Sequence, residues 1–341
     1  MEFPIITFLL LMIVATSAET LPPQLYWKFV LPNSPMPKAI TKMLPNSPMP
    51  KAITNLLLPG VDLGVRKGYD DGGASEVNTI ELSNPLFYHH DESMADVNSE
   101  ELPAPFHYND AASETQSHGK PSGTVFFLET DLLHGTTSSL KFSKTFSENE
   151  AKFLPRDIAN SIPFSSNKLE YILNKLNIKK GSKGARMVQN TISVCEVENI
   201  KGEKKLCVTS LESMIDFIIS KLGRNVVALS TEGNKENEFQ HYQIISQGVK
   251  KLGEENKVVV CHKMNYPYAV FYCHETDKTK VYSAPLKGAD GSRVKAIAVC
   301  HTDTSKWDPN HFAFQVLNVK PGTVPICHLL PRDNNVAWIS N

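Results

Sequence analysis

Four of the six cysteines are each followed directly by a histidine: Cys261-His262, Cys273-His274, Cys300-His301 and Cys327-His328, with gaps of 10, 25 and 25 residues between successive pairs. Thiol and imidazole are the side chains that crosslink or bind soft and borderline metals. Three of the pairs close β-like runs, VVVCH at 258–262, VFYCH at 270–274 and IAVCH at 297–301. Successive side chains of a strand point to opposite faces, so each cysteine faces one side and its histidine the other. The pattern separates two jobs. The cysteines can pair into disulfides on the core side while four imidazoles gather on the opposite face. An imidazole-rich, thiolate-free site suits Cu(II), and also Zn(II) or Ni(II). His134 is a fifth candidate ligand. The competing reading makes each histidine a hydrogen-bonded residue at a strand end beside a disulfide.

The compartment decides what the thiols become. Residues 5–15, IITFLLLMIVA, form an apolar run too short to span a bilayer, followed by Thr16-Ser17-Ala18. This predicts a secretory signal peptide over 1–18, cut after Ala18, although Glu2 stands where a positive charge is usual. In an oxidising compartment paired cysteines become disulfides rather than metal-binding thiolates. Cys195, Cys207, Cys261, Cys273, Cys300 and Cys327 all remain after cleavage, an even number. A hairpin over 257–274, turning near Asn265-Tyr266-Pro267, would bring Cys261 close to Cys273, while the connectivity of six cysteines stays open. The net charge of −1 carries no basic footprint for nucleic acid, and no later stretch reaches membrane-spanning length. Nucleophile-elbow, zincin and P-loop motifs are absent from the sequence.

The elements that must position these residues are expected late in the chain. LPNSPMPKAIT at 31–41 returns unchanged at 44–54, and three prolines per copy predict extended or polyproline-like backbone. Residues 60–122 are rich in Gly, Ser, Asn and acids and read as disordered, with His89, His90, His107 and His118 as exposed linker residues. Residues 19–122 are thus expected to be a Pro-rich repeat and disordered linker, dispensable for folding. A globular region follows. Apolar spacing predicts a helix over Asn167–Leu176 and another over Thr209–Leu222, opened by a Thr209…Glu212 capping box and ended by Gly223. Short β runs then appear: VVAL, VVVCH, AVFYCH, AIAVCH and FQVLNV. Early helices and late short strands predict an α+β, disulfide-bonded domain. The segment between Cys195 and Cys207, with Glu196, Glu198, Lys201, Glu203, Lys204 and Lys205, reads as a disulfide-closed polar loop rather than a site. Asp303 could orient an imidazole, but a solvated role is the simpler expectation.

Taken together, these features resemble the plant BURP-domain family, whose signature is four Cys-His pairs at these gaps. TVFFLETDLLHG at 124–135 is similar to the family's opening motif, Cys195 and Cys207 stand where it has two further cysteines, and PGTVPICH at 321–328 resembles the closing stretch, which finishes on a tryptophan, here Trp338. The resemblance covers 123–341 and implies one BURP domain there. The N-terminal PNSPMPK element is similar to one in the dehydration-responsive and unknown-seed-protein-like subgroups. The resemblance implies a secreted plant protein of the apoplast and cell wall, or of the seed storage vacuole. It would act by binding or structural association with wall polysaccharide or wall proteins, tied to stress or development. The alternative it implies is a copper-dependent autocatalytic peptide cyclase, which crosslinks a Tyr or Trp of its own N-terminal core peptide. Gln24-Leu25-Tyr26-Trp27 is then the candidate core peptide, and copper the cofactor held by His262, His274, His301 and His328.

Overall fold

The computed structural model describes residues 21–45, 126–134, 140–141, 151–199, 202–233, 241–276, 278–331 and 335–341. The expected signal peptide, most of the second repeat copy and the 60–122 stretch with its histidines lie outside the described residues. In chain order the elements are α1 (Pro23–Val30), α2 (Lys38–Thr41), β1 (Phe126–Leu128), α3 (Glu129–His134), β2 (Leu140–Lys141), α4 (Arg156–Asn160), α5 (Leu169–Lys175), α6 (Lys183–Glu196), β3 (Glu203–Val208), α7 (Leu211–Leu222), β4 (Val226–Leu229), β5 (Glu232–Gly233), β6 (His241–Ile244), β7 (Lys250–Leu252), β8 (Val258–Lys263), β9 (Phe271–Thr276), β10 (Thr279–Gly288), β11 (Arg293–His301), α8 (Phe312–Leu317), β12 (Ile326–Leu329) and β13 (Asn335–Ser340). This is the expected α+β class.

Two antiparallel sheets form. The larger runs β1-β12-β11-β10-β6-β2, with β5 beside β11 and β7 beside β10; the smaller runs β3-β9-β8-β13-β4. They pack face to face. Val258, Val260, Ala337 and Ile339 of the smaller sheet meet Val281, Ile297 and Val299 of the larger. The alternate residues face outward. Val259, Cys261, Phe271, Cys273, Val336 and Trp338 lie under the apolar stripe of α7, formed by Leu211, Met214, Ile215 and Ile218. On the outer face of the larger sheet, Ala298, Cys300, Cys327 and Leu329 pack with Leu132 of α3.

Local signals placed the two expected helices, α5 and α7, to within two residues at each end. The N-cap of α7 is Ser210, whose hydroxyl accepts from the Ser213 backbone N–H while the Ser213 hydroxyl accepts from that of Ser210. The expected Thr209…Glu212 box is displaced by one position because Glu212 turns inward and is 1% exposed. Gly223, at φ 78°, ends the helix in a conformation that costs glycine little. A 3-10 turn at Ser166–Lys168 precedes α5, so the helix starts at Leu169 rather than Asn167. Helix α6 was not anticipated; it packs Val188 and Ile192 against Tyr266, Tyr268 and Val270. FQVLNV, expected as a strand, is α8, closed by Asn318 in the left-handed region. Six apolar-rich residues fit either period.

The larger correction is at the N-terminus. Residues 21–45 are part of the core, not linker. Pro23 sits in the first turn of α1, where a missing N–H costs nothing. Trp27 is 2% exposed and packs on Trp338 with ring centres 5.2 Å apart and the planes tilted by 38°, and its Nε1–H donates to the Ser34 carbonyl at 2.8 Å. Ile40 and Met43 are fully buried in the same cluster. The Ser34 hydroxyl donates to the Val226 carbonyl, and the Phe153 N–H donates to the Met43 carbonyl at 2.8 Å. The first repeat copy is therefore not extended. Its prolines shape turns, with Pro37 capping the short helix α2. A few apolar anchors outweigh a composition that, averaged over a long stretch, reads as linker.

Candidate functional site

Each of two strand pairs carries a cysteine directly opposite a cysteine: Cys261↔Cys273 across β8–β9, and Cys300↔Cys327 across β11–β12. Both pairs are disulfides, and the third, Cys195–Cys207, ties α6 to β3. No cysteine is free. The connectivity left open by the sequence is thus fixed by register.

The following histidine of each pair points to the inner face, where the two sheets meet. His262 and His274 come from the smaller sheet, and His301 and His328 from the larger. Their ring centres form a four-sided cluster: His262–His274 5.3 Å, His274–His301 6.3 Å, His301–His328 5.6 Å and His328–His262 5.9 Å. All four are 5–8% exposed. Burial, then the neighbouring imidazoles, push His262 and His301 well below the ordinary histidine range. Burial brings His328 down to about 4, opposed by a hydrogen bond with the Leu329 backbone and helped by His274 and His311. At neutral pH His262, His301 and His328 are therefore uncharged, the state a metal ligand needs. Apolar side chains would fill this end of the core at less cost than imidazoles, whose buried nitrogens require partners. His328 Nδ1 is buried without a well-formed hydrogen bond.

A single ion with nitrogen bonds of about 2.0–2.1 Å in tetrahedral array sets ring centres about 5 Å apart. The observed spacings are slightly wider. Among the described residues no three donors already stand arranged around an ion. The four rings have the right number, chemistry and approximate spacing, and ligation would draw them inward by rotation about their side-chain torsions.

Residues that sequence reasoning missed complete the surroundings. Glu203 Oε1 lies 3.0 Å from His274 Nδ1 and accepts the Tyr272 hydroxyl proton at 3.0 Å. Burial raises this carboxyl, but His274, Tyr272 and Lys205 together outweigh that and hold it below the usual carboxylate range. The expected polar loop therefore delivers a residue to the cluster, from β3. Beyond His301 lies Trp307, at 5.1 Å, and beyond Trp307 lies His311, at 4.8 Å. His311 Nδ1 accepts the Ala313 N–H and caps α8, and its pKa is lowered by burial. Nothing in its sequence context marked it.

The structure does not bring His134 to the four rings. It ends α3 in an exposed position with Nδ1 2.9 Å from the Thr130 carbonyl, because α3 packs through Leu132 on the outer, cysteine-bearing face. Asp303 is occupied with Ser305 and Lys278 at the surface. Of the candidate core peptide, Tyr26 and Trp27 are buried, with the Tyr26 hydroxyl donating to Asp216, while Leu25 is half exposed. Both aromatic rings belong to the cluster that contains Cys261, Cys273 and Trp338, on the opposite face of the smaller sheet from the imidazoles.

A family model described as BURP domain matches residues 125–340. The chain is 50% identical over 239 residues to BURP domain protein RD22 of Arabidopsis thaliana, an overlap of 69% of this chain and 60% of that protein. It is 48% identical over 240 residues to BURP domain-containing protein 3 of Oryza sativa subsp. japonica, covering 69% and 55%. With BURP domain-containing protein 5 of the same rice it shares 38% identity over 325 residues, 94% of this chain and 88% of the relative, which extends the likeness well beyond the matched domain. The chain thus spans less than two thirds of the length of the first two relatives.

Proposed function

This chain belongs to the BURP-domain family, and on that premise we propose that it is a secreted plant protein that acts by binding, with His262, His274, His301 and His328 holding a copper ion between its sheets. The observation that carries the metal reading is the convergence of four buried imidazoles from two sheets on one end of the shared core. Nitrogen donors without thiolate favour Cu(II). Three disulfides fit an oxidising compartment, and among the described residues no helix is long and apolar enough to cross a membrane. The partner is a wall polysaccharide or wall protein, in the apoplast or the seed, and the rigid crosslinked sandwich is suited to present a fixed surface to it.

Copper in such a site would supply one-electron oxidation of a phenol or indole, the chemistry of a self-acting peptide cyclase. That second reading meets a specific obstacle. Tyr26 and Trp27 pack against Trp338 and the Cys261–Cys273 disulfide, so the smaller sheet stands between them and the imidazoles. Reaction there would need residues 21–45 to leave the core first. The binding reading requires no such step.

Titration of the purified, oxidised protein with Cu(II) by calorimetry tests the metal site. One high-affinity site is expected, lost when all four histidines are replaced by alanine and retained in His134→Ala. A folded quadruple variant binding as tightly as wild type would overturn the site. After copper exposure, the tryptic peptide containing Tyr26 and Trp27 should keep its mass; loss of a hydrogen pair would revive the cyclase reading.

A further inference from the structure

The carboxylate beside the cluster has a more definite role than burial alone requires. Strand β3 pairs with β9 in the register Glu203↔Thr276, Lys205↔His274 and Cys207↔Tyr272. Residues opposite one another in an antiparallel pair share a face, so Glu203 stands on the side of Tyr272 and His274. Its side chain, 8% exposed beside a His274 ring that is 7% exposed, reaches diagonally along the sheet to that ring. Among the described residues the strand is an edge strand, laddered to β9 alone, and Cys207 fastens it to Cys195 of α6. Tyr272 donates to the same carboxylate oxygen that faces His274 Nδ1. The carboxylate is thus held from the strand, the disulfide and the phenol at once.

We infer that Glu203 is a positioning residue of the imidazole cluster: by accepting the His274 Nδ1–H it fixes that ring's orientation and tautomer, so that Nε2 is the nitrogen His274 presents to His262 and His301. Which ring nitrogen of a histidine carries the proton is set by the hydrogen bond made by the other. Carboxylate partners of ligating histidines act in this way, and their loss costs about 10–100-fold in metal affinity. A Glu203 that merely fills space and pairs with Tyr272 would leave the His274 tautomer unselected. The copper arm of the test rests on the metal reading above; the tautomer arm does not.

The experiment is nitrogen-15 NMR of the imidazoles in metal-free protein, with Cu(II) affinity measured alongside. Wild-type His274 should be the Nδ1–H tautomer, with its Nδ1 proton shifted downfield by the carboxylate. Glu203→Leu removes the acceptor and should give a mixed or reversed tautomer, with Cu(II) affinity about 10–100-fold weaker. Glu203→Gln keeps an uncharged acceptor oxygen and should fall between the two. Tyr272→Phe spares the Glu203–His274 contact and should keep the wild-type tautomer. A wild-type His274 in the Nε2–H form would overturn the inference even if no variant folded. So would Glu203→Leu with the His274 signals and Cu(II) affinity of wild type. If the tautomers behave as expected and the wild type takes up no Cu(II) at the cluster, the positioning role stands and the metal reading falls.

Discussion

Trp27 is the sharpest test of where the folded unit begins. It lies nearly a hundred residues before the matched domain, yet it is 2% exposed and packed on Trp338. An aromatic side chain of this kind buries about 150–250 Å², which at about 25 cal/mol/Å² amounts to roughly 4–6 kcal/mol as an upper estimate. Truncation to alanine keeps the Cβ and lets the cavity relax in part, and measured Trp→Ala costs run at about 3–5 kcal/mol. It also strips the Ser34 carbonyl of its donor. Trp27→Ala should therefore lose about 3–5 kcal/mol in urea unfolding followed by far-ultraviolet circular dichroism, with disulfides intact. Phe29→Ala, on the same helix but 54% exposed, is the control and should change stability by no more than about 0.5 kcal/mol. If the two variants unfold within about 1 kcal/mol of each other, residues 21–45 are not part of the cooperative core and the linker expectation was right after all.

Because the two repeat copies are identical, deleting residues 31–43 joins the second copy to Val30 and replaces buried Met43 by Leu56. A volume-conserving change of that kind should cost less than about 1.5 kcal/mol, and a loss matching Trp27→Ala would show that the groove reads more than the repeat. For His328, burial sets the folded pKa at about 4, below the ordinary 6.5, so the unfolded chain takes up the proton first. Stability of the metal-free protein should be full above pH 6.5 and fall between about 6.5 and 4, by roughly 3 kcal/mol for this residue, with His262 and His301 shifting the same way; a flat urea-midpoint profile over that window would contradict it. Proton competition for Cu(II) should likewise begin below 6.5 rather than at it. Cys261, Cys273, Cys300 and Cys327 are fully buried while Cys195 and Cys207 are partly exposed, so mild dithiothreitol should open Cys195–Cys207 first, seen by alkylation and mass spectrometry. Simultaneous reduction of all three would refute that order.

The cysteine and histidine faces were legible because they depend only on the alternation of a strand. The hairpin that joins Cys261 to Cys273 was legible from a turn signal between two β runs. What stayed hidden depended on pairing across the chain. Glu203 looked like one charge among several in a polar loop; its role appears only once β3 takes its register on β9, about 70 residues later. His311, four residues after Trp307 in the connection between β11 and β12, is carried against Phe126 of β1, and neither spacing nor periodicity encodes that return. His134 carried the opposite error. Its motif marked it, but Leu132 fixes the inward side of α3 and leaves His134 at the surface. The N-terminal segment was misjudged because its stability comes from Trp27, Ile40 and Met43 meeting α7 and Trp338, contacts absent from any local pattern.

The coupling of cysteine to histidine has a physical reason that goes beyond either side chain. A register slip of one residue turns every side chain of a strand to the other face. In β8–β9 and β11–β12 such a slip would bury the cysteines between the sheets and turn the imidazoles outward. Each disulfide joins directly opposite positions, so it forbids that slip. The adjacent histidine is then committed to the inner face whatever its own interactions contribute. This removes the need for the imidazoles to hold themselves in place against the cost of burying their nitrogens. The crosslinks stand outside the cluster, one peptide unit away, and hold four otherwise unfavourable rings within reach of one another. The rings stay free to rotate about their own torsions, which an arrangement slightly wider than a ligand shell requires.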